Sequence, residues 1–195
     1  MMHSVLIANP EGKILLSRYF ETQNDGSDNA YEYDGDAAGY AAGSDNTLRK
    51  GGGSIMRDRA MAMCSSESEV LGQTRHLWTK GTAECPQVAR AKGGLIIVFA
   101  AVEGLLIFLC GSGEYDELTL AEMLSTLAKV VTTLCRQGNK AQRVTEAALM
   151  SSSTYSKACL AIDEMLPGGI PESLDPDCIL GAIKLQNPVA ASKQG

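Results

Sequence analysis

The sequence predicts an α/β (α+β) fold in which a mainly antiparallel sheet is sandwiched by helices. Three observations predict it. Two strand-turn-strand signatures lie at residues 4–20 and 95–110, and tight hairpins force antiparallel pairing. The second hairpin is apolar at nearly every position, so both of its faces need cover. The runs that follow it repeat apolar residues at helical spacing, which supplies that cover.

The elements follow in chain order. Ser4 to Ala8 (SVLIA) reads as a strand, Asn9-Pro10-Glu11-Gly12 as a turn, and Lys13 to Phe20 (KILLSRYF) as the returning strand. Asn-Pro starts turns and Gly12 supplies a permissive backbone position. Asn24 to Gly53 then holds seven glycines, five aspartates and three asparagines. Such a segment buries too little apolar area to offset the entropy of ordering it, so it is expected to be a disordered acidic insertion. Its Tyr31, Tyr33 and Tyr40 could serve recognition or phosphorylation, but an unconstrained insertion is the preferred reading.

Helical spacing resumes from Ile55 to Trp78, behind Ser54 as a cap and with an irregular middle at Ser65-Ser66. Thr79 to Gly93 reads as a loop, with weak support for a short edge strand near Gln87–Arg90. Leu95 to Val102 and Leu105 to Cys110 form the second hairpin around Glu103-Gly104. This 16-residue run is too short to span a bilayer, which takes about 20 apolar residues, and a carboxylate and a glycine interrupt its middle.

Tyr115 to Arg136 is predicted as a helix with Leu120, Leu124, Leu127, Val131 and Leu134 on one stripe. Glu114, Asp116 and Glu117 suit its positive end, and Gly138 suits its stop. One further helix is expected from about Ala141 to Leu166, with Val144, Ala148, Tyr155, Cys159, Ile162 and Leu166 sharing a face. Pro167-Gly168-Gly169 ends it. Asp175-Pro176 is a cap followed by proline at the first helical position, opening a short helix through Leu185. The domain is thus expected to occupy 1–186, interrupted at 24–53, with a flexible tail at 187–195.

Composition narrows the function classes. The 195 residues carry a net charge of −6. Seven carboxylates and no Lys or Arg fall between Tyr19 and Leu48, so the remainder is near neutral and advertises no basic face for nucleic acid. Cys64, Cys85, Cys110, Cys135, Cys159 and Cys178 are widely spaced. They form neither paired zinc ligands nor a secreted disulfide framework, and most read as buried small hydrophobes. The start, MMHSVLIANPEG, has only a four-residue apolar run and no basic region, unlike a secretory signal. A reduced, cytoplasmic protein is the expectation.

No residue set suggests catalysis, a metal or a cofactor. His3 and His76 are far from any serine or cysteine motif, and His3 reads as a structural flank of the first strand. Gly111-Ser112-Gly113 lacks the Lys of a phosphate loop and the third glycine of a dinucleotide fingerprint. The carboxylates after it would repel phosphate, so it reads as a turn. Asp163 and Glu164 point about 100° apart on a helix and cannot share one substrate. They are expected to bond backbone groups or a partner near the Pro-Gly-Gly turn.

Three stretches carry a resemblance. HSVLIANPEGKILLSRYF, ending in Arg18-Tyr19-Phe20, resembles the opening of the small, longin-fold (profilin-like) chains of heterotetrameric coats, the clathrin-adaptor sigma and coatomer zeta chains. Gly111 to Leu118 is similar to that family's strand exit into its long helix. Leu160 to Met165, with Gly168-Gly169-Ile170 and Glu172-Ser173, is similar to its Asp-Glu, Gly and Glu-(Ser/Thr) signature. Within the family, IFLCGSGEYDELTLAE most resembles the small chains of the TPLATE complex (TSET).

The resemblance implies a longin-like fold and a non-enzymatic subunit of a vesicle-trafficking adaptor. Such a chain docks on a large, adaptin-like solenoid subunit beside a medium subunit, and associates peripherally with the plasma membrane or endosomal and Golgi membranes. For the TPLATE-type complex, the setting implied is clathrin-mediated endocytosis at coated pits. Sigma chains that bind acidic dileucine signals carry an Arg where this chain has Leu15, so direct dileucine binding is not expected. Arg18 would face the opposite side of a regular strand. The alternative is a free longin or roadblock-like module serving a small GTPase or its exchange factor.

Overall fold

Met2–Ala8 (β1) and Ile14–Tyr19 (β2) form the first hairpin in the computed structural model of the chain, which describes residues 1–20, 67–78, 81–136, 139 and 141–185. The acidic insertion expected at 24–53, the tail from 187 and the start of the helix expected at Ile55 lie outside the described residues. Gln87–Arg90 (β3), Ile96–Val102 (β4) and Leu105–Gly111 (β5) complete a five-stranded sheet ordered β2-β1-β5-β4-β3. Every neighbouring pair is antiparallel. The two hairpins therefore lie side by side, joined where β1 pairs with β5, and the weakly supported edge strand is present as β3.

The doubly apolar strands acquire cover on both sides. Val5, Ile7, Val98, Ala100, Ile107 and Leu109 face one core, closed by Glu117–Arg136 (α2), Ser152–Met165 (α4) and Pro176–Leu185 (α5). Leu6, Ala8, Ile97, Phe99, Leu106 and Phe108 face a second core with Val70 and Trp78. Val70 belongs to the helix at residues 67–74 (α1). Alternate residues thus enter opposite cores, as the pleat requires.

Trp78 anchors the α1 side. Its Nε1 donates to Thr74 Oγ1 at 2.9 Å, and that hydroxyl donates to the Val70 carbonyl at 2.8 Å. Its ring meets Phe108 edge-on at 6.3 Å, and Phe108 stacks on Phe99 at 5.5 Å. The first turn also reaches it: a Cβ on Gly12, at φ +91°, would lie 2.9 Å from the indole. Glycine serves both the left-handed backbone and the close approach.

Helix α2 starts at Glu117, two residues later than the Tyr115 start expected from the sequence. Asp116 Oδ1 accepts the Thr119 N–H at 2.8 Å, and Leu120, Leu124, Leu127 and Val131 are fully buried on the sheet. The helix is long and apolar enough to cross a membrane, but half of its apolar stretch is buried within the fold, as in a core helix. Asp175 caps α5 by accepting the Asp177 N–H at 3.0 Å.

The single helix expected from Ala141 to Leu166 is corrected to two, Glu146–Leu149 (α3) and α4. Thr145 caps the first, accepting from Ala148 N at 3.3 Å. Ser151, extended at φ −62° and ψ 136°, caps the second. Serine favours a cap over a helix interior because its hydroxyl competes for backbone groups. The break resets the phase, so Thr154, Ala158, Ala161, Ile162 and Met165 face the core. Tyr155 and Cys159 lie on the flank, only partly buried.

Two contacts tie turns to these helices. Glu146 accepts Asn9 Nδ2 at 3.0 Å and Lys13 Nζ at 3.1 Å, joining the β1–β2 turn to α3. Glu103, at φ 54°, is the non-glycine residue with positive φ among the described residues, a conformation that costs about 1 kcal/mol. Its carboxylate accepts both Arg136 Nη2 and the Val144 N–H, while Gly104 N donates to the Val144 carbonyl at 3.0 Å. The hairpin tip is thereby latched to the end of α2 and the approach to α3.

The Val144 N–H, and then Arg136, hold the Glu103 carboxyl below its ordinary value of 4.5. In the unfolded chain this carboxyl takes up a proton first, so the latch contributes fully above about pH 5 and is lost as pH falls through the lowered folded value. Glu103→Gln should cost about 1 kcal/mol at pH 7 and flatten the acid limb of stability against pH. Urea unfolding across pH 3–7 checks this; parallel acid limbs for the two proteins would refute it.

Candidate functional site

The three sequence stretches that carried the resemblance meet at one end of the sheet. Phe20 closes the first hairpin and packs on Gly169, where a Cβ would lie 2.8 Å from that of Phe20. Gly169 is at φ +84°, so both its backbone angle and its neighbour require glycine. Tyr115, from the second stretch, donates its hydroxyl to the Gly169 carbonyl at 3.3 Å. Arg18 pairs with Asp163 at 2.6 Å, linking the first stretch to the third. Both side chains are about half exposed, so the pair contributes no more than about 1 kcal/mol. It marks adjacency rather than stability.

His3 belongs to the same junction. Its Nε2 lies 2.6 Å from Ser112 Oγ, and Ser112 N donates to the Met1 carbonyl at 2.8 Å. Burial, and then the chain's amino terminus, pull the imidazole below its ordinary value, so it is neutral at pH 7 and can share the hydroxyl proton. Gly111-Ser112-Gly113 is the turn expected, leading β5 into α2.

Between the start of β1, this turn and the Pro167–Gly169 turn lies a cleft of about 450 Å³. Met1, Met2, Tyr115 and Ile170 supply its apolar lining, and Glu114 its charged side chain. Ile170 in its lining is 68% exposed; Leu118, outside the lining, is 80% exposed at the start of α2. Such a surface can accept an apolar side chain, but it does not converge acids, bases and nucleophiles on one atom.

The described residues contain no group of three metal-capable side chains. The described cysteines are unpaired. Burial pushes the Cys110 and Cys135 thiols up to about 11, so neither is a thiolate at neutral pH. Most of the cysteines were expected to be buried; of the described ones Cys110 and Cys135 are, Cys159 is half-buried, and Cys85 and Cys178 are exposed; Cys64 lies outside the described residues.

No family model matches the chain. It is 26% identical over 170 residues to TSET complex member tstD of Dictyostelium discoideum, across 87% of this chain and 82% of that protein. The chain resembles a TSET-type small adaptor subunit. A chain of a homology model of the full-length AP-3 complex, in a stretched open conformation, matches with a TM-score of 0.51 at 13% identity. That match covers 98% of this chain and 96% of the other, and it shows the longin-like fold.

In this TSET-like chain the first hairpin departs from a regular ribbon. Ile7 pairs with Leu16 but Ala8 with Ile14, so Leu15 is the extra residue of a bulge. The bulge resets the alternation. Leu15 and Leu16 both enter the α2-side core, and Arg18, opposite Val5, shares that face. The expectation that Arg18 faces away from Leu15 is therefore corrected, and its contact with Asp163 of α4 follows. Leu15 itself is buried and presents no charge at the surface.

Two parts of the TSET-like junction were not singled out from sequence. Tyr115, expected inside the helix, lies ahead of α2 and bonds the Gly169 carbonyl. Ile170 in the cleft's lining is isolated in sequence, so no local pattern marks it. Glycines flanking both turns were the available signal, since close backbone approaches concentrate there.

Proposed function

We propose that this chain is a non-enzymatic small subunit of a TSET-type adaptor complex in vesicle traffic. It docks on a large solenoid subunit, beside a medium subunit, and holds the complex core together. The setting is clathrin-mediated endocytosis, with the protein cytoplasmic and peripheral to the membrane through its complex. The observation that carries this reading is the similarity to a TSET complex member along 87% of the chain. The exposed apolar end, with Leu118 and Ile170 uncovered, supports a partner rather than a substrate.

Affinity purification of the tagged chain, followed by identification of what co-purifies, tests the reading. A large solenoid chain and a medium chain in equal ratio are expected. A small GTPase with a single scaffold would replace it with the free-module alternative. The endocytic setting has its own measurement: depleting the chain should slow uptake of a membrane dye. Unchanged uptake alongside an intact complex would move the protein to another membrane.

A further inference from the structure

We propose that the cleft beside the Pro167–Gly169 turn receives one bulky apolar side chain of the large solenoid subunit, with a neighbouring Lys or Arg facing Glu114. This rests on the proposed function and locates its docking point. The cleft's size suits a few side chains, and its lining by Met1, Met2, Tyr115 and Ile170 selects apolar ones. Of the five large hydrophobics most exposed among the described residues, Met1 and Ile170 line this cleft.

Charge identifies the occupant. Glu117 is paired with Arg90, and Asp116 is committed to capping α2. Glu114 makes no ion pair among the described residues. Exposed Glu172 lies two residues beyond Ile170. An apolar lining with the Glu114 carboxylate beside it complements an apolar side chain with a basic neighbour. Glycines at 113, 168 and 169 leave the walls low, so the anchor can enter without displacing side chains.

The test places a photo-reactive benzoyl-phenylalanine at position 170, in the cleft's lining, in the co-expressed complex, irradiates it, and maps the adduct by mass spectrometry. The expected adduct is a segment of the large subunit with an apolar residue within a few positions of a Lys or Arg. Ile170→Glu and Glu114→Lys should each weaken retention of the large subunit about tenfold. Both residues are exposed, so the melting temperature should hold. Met150→Glu, also exposed but away from the cleft, should not weaken retention. An adduct to a second copy, to residues 186–195 of this chain or to lipid overturns the inference. So does a large subunit that is retained but unlabelled. If no large subunit accompanies the unaltered chain, the proposed function fails, and this inference with it.

Discussion

Trp78→Ala is expected to lower the unfolding free energy by about 3–5 kcal/mol, or the melting temperature by roughly 10–15 °C. On the helical side of the second core the buried apolar residues among those described are Val70 and Trp78. Removing the indole uncovers Phe108, takes the partner from the Thr74 hydroxyl, and leaves the Gly12 turn over a void. Thr74 is fully buried, so losing its donor adds a desolvation cost to the cavity cost. Trp78→Phe separates the two: it keeps most of the apolar volume and should cost about 1–2 kcal/mol. The chain has one tryptophan, so unfolding should be followed by far-ultraviolet circular dichroism. A loss below 1 kcal/mol for the alanine variant would mean that the indole is not the anchor of this core.

What could be read from sequence was what signals locally. The hairpins, the α2 stripe and the Asp175-Pro176 cap each depend on residues a few positions apart, so period and turn chemistry reveal them. The bulge at Leu15 was hidden because Ile14, Leu15 and Leu16 are all apolar, and a run without alternation does not display its register. The division between α3 and α4 had a signal in Thr145 and Ser151, but apolar periodicity on both sides outweighed it. The Glu103 latch was beyond reach: its partners lie 33 and 41 residues away, and only the packed fold brings them together. The same holds for the junction of Phe20, Tyr115 and Gly169. Each stretch was noticed for its own pattern, while their meeting is tertiary.

Gly169→Ala is the substitution that should disturb that meeting most. An L-residue at φ +84° costs about 1–2 kcal/mol, and the new methyl would collide with the Phe20 Cβ and Cγ at 2.8 and 2.9 Å. The Cβ is fixed to the backbone and cannot swing aside as a side-chain end can. Relief requires the Pro167–Gly169 turn to move away from β2, at a further cost of about 1–3 kcal/mol. The expected total is about 2–5 kcal/mol. Gly168→Ala is the matched control, since Gly168 also has positive φ, at +61°, but open space around its Cβ position. It should cost only the backbone part. The difference between the two variants, read from urea midpoints at constant slope, isolates the contact with Phe20. Because the displaced turn carries Ile170 and accepts the Tyr115 hydroxyl, Gly169→Ala should also weaken retention of the large subunit, even at temperatures where the variant stays folded. Equal midpoints for the two alanine variants would show that the first and third stretches do not press on each other here, and the junction would lose its claim to organise the docking end.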